Sequence, residues 1–169
     1  MSPRSVYRAS SHAPCVDGSI PKIDKLKLLY VGRLHPLKGV EYLLEAMPTD
    51  CKLVIISKDE GEGKKLKKIA VRRGLDVEFK GVVSEAEKEA AYQWCDVLVL
   101  PTLSENFGLV VAEALERGKH VITTDGAPAW GDSKTYGGRL TYLRSYCEGT
   151  AADRVAKLKS AINELICTH

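Results

Sequence analysis

Asp96-Val97-Leu98-Val99-Leu100-Pro101-Thr102-Leu103-Ser104-Glu105-Asn106-Phe107-Gly108-Leu109-Val110-Val111-Ala112-Glu113-Ala114-Leu115 decides how this chain is read. The apolar run closed by Pro101 reads as a buried strand that ends at a loop. From Phe107 to Arg117 the residues favour helix, and Gly118 supplies a stop. The stretch is therefore a strand–loop–helix corner. In open α/β sheets, ligands bind at this carboxyl edge of the strands. A helix start there offers free backbone N–H groups and the positive end of the helix dipole, which suits a phosphate. Gly108 lets a ligand come close to the backbone.

Two carboxylates bracket the corner. Glu105 lies in the loop, and Glu113 lies on the helix eight residues later. A carboxylate accepts two hydroxyl hydrogen bonds well, so it suits the vicinal diol of a sugar or ribose. Taken singly, each glutamate would ordinarily be a solvated surface residue. Glu113 argues against that, because it is a lone acid between Leu109-Val110-Val111-Ala112 and Ala114-Leu115. An acid in so apolar a run asks for a partner.

The rest of the chain alternates strand and helix. Leu26 to Gly32 is a mostly apolar strand, as in a parallel sheet covered on both faces. The loop from Gly32 to Gly39 carries Arg33 and Lys38. Arg grips a phosphate bidentately and Lys adds a compact point charge, and such a pair neutralises the charge that develops on a departing diphosphate. His35, just before Pro36, reads as a plain loop residue. Val40 to Met47 is a helix with Val40, Leu43, Leu44 and Met47 on its inner face. Cys51 to Ile56 is the second strand. A short amphipathic helix buries Leu66, Ile69 and Ala70 and ends at Gly74, leaving a solvated lysine face. Val77 to Val82 is the third strand. Ser84 and Glu87 form a capping box for a helix whose buried stripe is Ala90, Ala91 and Trp94, with Tyr92 as a packing residue. Lys119 to Thr124 is the fifth strand and Arg139 to Leu143 a last short one. Ala151 to Ile166 is an amphipathic helix that repeats Val155, Leu158, Ile162 and Leu165. The fold class is α/β: a doubly wound, Rossmann-like parallel sheet.

Composition narrows the function. The 169 residues are 44% hydrophobic and 28% charged, as in one soluble globular domain. Net charge is +3, too mild to argue for nucleic acid, and no basic-aromatic stacking pattern accompanies it. The longest apolar run is far short of a membrane span. Met1 to Val6 has no apolar signal-peptide core, so the reading is cytoplasmic. Cys15, Cys51, Cys95, Cys147 and Cys167 form no C-x2-C pair. Zinc is therefore not expected, and free thiols in a reducing compartment are. Cys51 and Cys95 read as core residues. The glycines and lysines from Ser57 to Lys65 lack P-loop spacing, and no G-x-G-x-x-G follows a strand. Residues 1–25 read as a linker or flexible terminus, and 26–169 as the folded domain.

Three segments, in order, resemble the retaining glycosyltransferases of the GT-B fold, family 4 (group 1) type. Glu105 to Ala114 is similar to the Glu-x7-Glu motif. Leu29 to Val40 is similar to the opening strand and phosphate loop, and Phe79 to Ser84 to the nucleobase segment. Together they run from about Leu26 to Gly126, more than half of the chain.

The resemblance implies a donor-binding C-terminal half and its roles. Gly32, Arg33 and Lys38 would form the diphosphate site. Val82 and Val83 would border the base, and Glu113 would take the ribose hydroxyls. Glu105 would take a hydroxyl of the donor sugar. Asn106, Phe107, Gly108, Leu109 and Val110 would line the sugar and phosphate, the last four through main-chain amides. Glu105, Arg33 and Lys38 would carry the chemistry without a metal or cofactor, the leaving diphosphate itself accepting the acceptor's proton.

The implied partners are a nucleotide-sugar donor, a glycan or lipid-linked acceptor, and an N-terminal acceptor domain or partner chain. The 169 residues would then be an excised piece of a longer enzyme or a naturally partial protein, at the inner face of the membrane when complete. Ser57 stands where the family often has Gly. The loop Thr124-Asp125-Gly126-Ala127-Pro128-Ala129-Trp130 is closer to the subset that builds bacterial polysaccharide or lipopolysaccharide, apart from the inserted Ala129, and no role is transferred there. Alternatives are a stand-alone nucleotide-binding module without catalysis, one subunit of a split enzyme, or another GT-B enzyme such as a phosphorylase or epimerase.

Overall fold

The structure, a computed structural model, describes residues 24–132 and 136–168. Most of the stretch read as a linker, with Cys15, lies outside the described residues. The six strands are β1 (Leu26–Val31), β2 (Cys51–Ile56), β3 (Asp76–Gly81), β4 (Val97–Leu100), β5 (His120–Thr124) and β6 (Leu140–Leu143). They form one parallel sheet in the order β3-β2-β1-β4-β5-β6. β2 and β4 are buried almost throughout, as their apolar runs require. The edge strand β3 alternates instead, with Val77 and Phe79 half-buried and Glu78 and Lys80 exposed.

A 3-10 turn at Pro36–Lys38 leads into α1 (Val40–Ala46). α2 (Gly63–Arg72), α3 (Glu85–Trp94), α4 (Leu109–Glu116) and α5 (Ala151–Thr168) follow, with a second 3-10 turn at Pro128–Trp130. Right-handed crossovers place α1 and α2 on one face and α3 and α4 on the other. Side chains confirm the pairing. Lys65 of α2 reaches Glu41 of α1 at 2.7 Å, and Arg73 donates to the Leu44 and Met47 carbonyls at 2.6 and 3.0 Å. On the other face Arg117 grips Glu89 of α3 with Nε and Nη2. That grip holds the Glu89 carboxyl down at about 2. α5 lies on α1, its Arg154 donating to the Tyr42 hydroxyl at 3.1 Å.

Local signals from the sequence are met at several ends. Ser84 and Glu87 close both bonds of the capping box, at 3.2 and 2.9 Å. Gly74 turns left-handed (φ 62) after α2, and Leu75 N–H bonds the Ala70 carbonyl at 2.9 Å. Cys51 and Cys95 are buried, which pushes their thiols up to about 11.

Two expectations need correction. α4 begins at Leu109, not Phe107, because Gly108 sits at φ 76 and a left-handed residue cannot continue a right-handed helix backward. The inner stripe of α3 is Lys88, Ala91, Tyr92 and Cys95, spaced i, i+3, i+4, i+7; Ala90 is exposed and Trp94 only half-buried. A lysine at the head of the stripe hid it from a search for apolar residues.

The strand order reverses between β1 and β4. The chain therefore leaves their carboxyl ends toward opposite faces of the sheet, which makes this edge the topological switch point of an open α/β sheet. No helix among the described residues is long and apolar enough to cross a membrane.

Candidate functional site

The loop after β1 is shaped from below. Tyr30 is fully buried, and its hydroxyl donates to the Arg33 carbonyl at 2.7 Å. A Cβ on Gly32 would come within 2.8 Å of that hydroxyl. His35, expected to be a plain loop residue, caps the 3-10 turn: its Nδ1 accepts from the Leu37 N–H at 3.1 Å.

The loops after β1 and β4 are pressed together. Leu103 N–H bonds the Leu37 carbonyl at 2.7 Å. Gly39 takes φ 66, and a Cβ there would lie 2.1 Å from the Pro101 carbonyl oxygen. This closeness brings Lys38 under the second loop. Its Nζ donates to Glu105 Oε2 at 2.7 Å and to the Ser104 carbonyl at 3.1 Å. Lys38 is only 8% exposed, so its ammonium needs both partners.

Threonines brace the loop that carries Glu105. Thr102 Oγ1 donates to the Ser104 carbonyl at 2.9 Å, and Thr124 Oγ1 to the Thr102 carbonyl at 2.5 Å. Glu105 N–H bonds the Gly126 carbonyl at 2.8 Å, tying in the loop after β5. Trp130 closes the set. It is buried, and its indole N–H donates to the Phe107 carbonyl at 2.6 Å while the two rings lie 5.4 Å apart. Gly108 then caps α4 without a side-chain hydrogen bond. Asn106, Phe107, Leu109 and Val110 surround that helix start, with Phe107 and Leu109 well exposed.

Glu113 stands one turn further along α4. The partner its apolar surroundings required is present: Tyr92 donates its hydroxyl to Oε2 at 2.5 Å, and Lys88 Nζ lies 3.6 Å from Oε1.

The structure brings Lys38, Glu105 and the Gly108 corner together and sets Glu113 on the same helix. Arg33 is placed apart from Lys38: its guanidinium is mostly exposed and pairs with Glu60, in the loop after β2, at 3.3 Å. Val82 is exposed and Val83 half-buried beyond the end of β3, two strands from β1 on the same carboxyl edge. Sequence reasoning missed Tyr30, Thr102, Thr124 and Trp130. Only Trp130 carried a usable signal, since a buried indole seeks an acceptor for its N–H.

Trp130→Phe tests that brace. It keeps a ring against Phe107 but removes the hydrogen bond, a loss of about 1 kcal/mol. Thermal unfolding followed by circular dichroism should shift down by about 2–4 °C. An unchanged transition would mean that ring packing alone holds the corner.

A sequence profile of the family described as "Glycosyl transferases group 1" matches residues 19–132. The chain belongs to this family. Every site residue described above, from Tyr30 to Trp130, lies within the matched range, and β6 and α5 lie outside it. Among relatives of this glycosyltransferase chain, a phosphatidyl-myo-inositol mannosyltransferase of Mycobacterium leprae is 33% identical over 123 residues, covering 68% of this chain and 32% of the relative. An uncharacterised glycosyltransferase of Methanocaldococcus jannaschii is 34% identical over 108 residues, 60% of this chain and 27% of the relative. The chain thus spans about a third of these relatives' length or less.

Solved structures share the fold. The C-terminal domain of a group 1 family glycosyl transferase from Francisella tularensis superposes with a TM-score of 0.62 at 23% identity, covering 82% of this chain and 75% of that domain. A lipopolysaccharide outer core galactosyltransferase gives 0.66 at 22% identity, over 89% of this chain and 42% of the other.

Proposed function

We propose that this chain forms the donor site of a retaining glycosyltransferase, one that moves a hexosyl group from a nucleoside diphosphate sugar to a glycan or lipid-linked acceptor. The observation that carries the reading is the Lys38–Glu105 junction at the carboxyl ends of β1 and β4, beside the uncapped start of α4. Lys38 and the N–H groups near Gly108 bind the diphosphate, and Arg33 adds a second cation when it turns from Glu60. Val82 and Val83 border the base, Glu113 takes the ribose diol, and Glu105 takes a hydroxyl of the sugar.

In the reaction, the bond from the anomeric carbon to the diphosphate oxygen breaks, and the bond to the acceptor oxygen forms on the same face. The acceptor's proton goes to the departing phosphate oxygen. The protein contributes orientation and charge stabilisation of the leaving group. Lys38 and Arg33 supply the positive charge, so the proposed reaction uses no metal ion or cofactor.

The relatives' names, a mannosyltransferase of a phosphatidyl-inositol and a lipopolysaccharide galactosyltransferase, support a lipid-linked or surface-glycan acceptor. Leu37, Phe107 and Leu109 are 48, 49 and 67% exposed beside the motif. Apolar surface in that place favours completion of the site by an acceptor domain, on a longer chain or on a partner chain.

Calorimetric titration with UDP, GDP and ADP tests the reading. One diphosphate should bind, and Glu113→Ala should weaken it at least about tenfold, the loss of a hydrogen bond to a charged group. A folded chain that binds none of the three sinks the proposal.

A further inference from the structure

Resting on the reading of Glu113 as the ribose acceptor, we infer that Tyr92 and Lys88 are positioning residues that aim its carboxylate at both hydroxyls of an intact ribose. Both stand on the inner stripe of α3 and reach across to α4. Tyr92 is fully buried, and its one hydroxyl proton goes to Glu113 Oε2 at 2.5 Å. Lys88 sits between Glu85 at 3.5 Å and Glu113 Oε1 at 3.6 Å. Arg117 locks the arrangement. Its guanidinium lies 4.9 Å from the centre of the Tyr92 ring, clasps Glu89, and donates to the Glu113 carbonyl at 2.7 Å.

Counting acceptor sites gives the selectivity. A carboxylate offers about four lone-pair directions, two on each oxygen. Tyr92 takes one on Oε2, and Lys88 approaches Oε1. At 3.6 Å Lys88 holds Oε1 by charge and not by a hydrogen bond. One direction then remains on Oε2 and Oε1 stays open, which leaves room for a vicinal diol with one hydroxyl for each oxygen. The Glu113 side chain is still 31% exposed, so a ligand can reach it. The terminal torsion of a glutamate is otherwise soft. Without the Tyr92 bond the carboxylate turns freely and binds a single hydroxyl nearly as well as two. Burial and the adjacent carboxylate push the Tyr92 phenol well above its ordinary range, which keeps it a donor.

The test compares a ratio, because a merely structural role would not move it. The probe is whichever of UDP, GDP and ADP binds most tightly, measured by calorimetry beside its 2′-deoxy and 3′-deoxy forms. The wild-type chain should prefer the ribonucleotide by about tenfold or more, since a site built to bond a hydroxyl leaves its own polar group unpaired when that hydroxyl is missing. Tyr92→Phe keeps the ring under Arg117. It should weaken the ribonucleotide by about tenfold, a change of roughly one charge-assisted hydrogen bond, while both deoxy forms change less than about twofold. The preference should then collapse toward that of Glu113→Gln. Lys88→Met, at the more open end of the stripe, should lower the preference a few-fold and covers the case in which Tyr92→Phe fails to fold.

If Tyr92→Phe and Lys88→Met weaken all three ligands equally, or leave the preference intact while Glu113→Gln removes it, the inference is overturned and the donor-site reading stands. If the wild-type chain binds no diphosphate, both fall together.

Discussion

Gly39→Ala is expected to lower the melting temperature of this chain by about 8 °C. Two costs add. Alanine at φ 66 carries a left-handed penalty of about 1–2 kcal/mol. Its Cβ would also lie 2.1 Å from the Pro101 carbonyl oxygen, where ordinary contact begins beyond 3 Å. Backbone cannot swing aside as a side chain can. The two loops are pinned by the Leu37–Leu103 bond at 2.7 Å, so relief means breaking it, about 1 kcal/mol more. A total of about 2–3 kcal/mol at roughly 2–4 °C per kcal/mol gives the shift. Gly74→Ala is the control. Gly74 has nearly the same φ, 62, but an added Cβ there meets nothing within 4 Å. It should cost only the backbone penalty. Equal losses for the two variants would show that the loop contact is not felt.

The second large effect is on binding. Lys38→Met should weaken the diphosphate by about a hundredfold or more, as expected when a charged donor is removed from a desolvated phosphate site. It should also destabilise the chain, because the Glu105 carboxylate loses its cation. Breaking a fully buried pair costs about 3–5 kcal/mol. The Glu105 side chain is 23% exposed, so about 2 kcal/mol is the better expectation after allowing for solvent. Adding Glu105→Gln to Lys38→Met separates the two. The neutral pair should recover most of the melting temperature and none of the binding. If binding returns with stability, Lys38 acts on the fold and does not hold the phosphate.

Much of the fold was legible along the chain. Cys51–Ile56 matches its expected strand end for end, and the Ser84/Glu87 box starts α3 where its spacing required. These signals are local: they depend on apolar period, caps and glycines within a few residues. The Phe107 boundary failed for a local reason too, since composition does not show that Gly108 turns left-handed.

The site was legible only as a set of candidates. Arg33 and Lys38 looked like a matched pair of cations five residues apart. In the folded chain Arg33 pairs with Glu60 and Lys38 with Glu105, the latter partner 67 residues away. Trp130, given no role, holds the Phe107 carbonyl from the loop after β5. Tyr92 looked like a packing ring and Lys88 drew no reading, yet both meet Glu113 from the neighbouring helix. By itself, the sequence determined the alternation of strand and helix, the corner at Glu105–Glu113 and the residue types that suit phosphate and diol. The tertiary structure decided which charge meets which. A side chain's partner is set by loops and helices that sheet order brings together, and the switch point between β1 and β4 joins segments that no spacing along the chain relates.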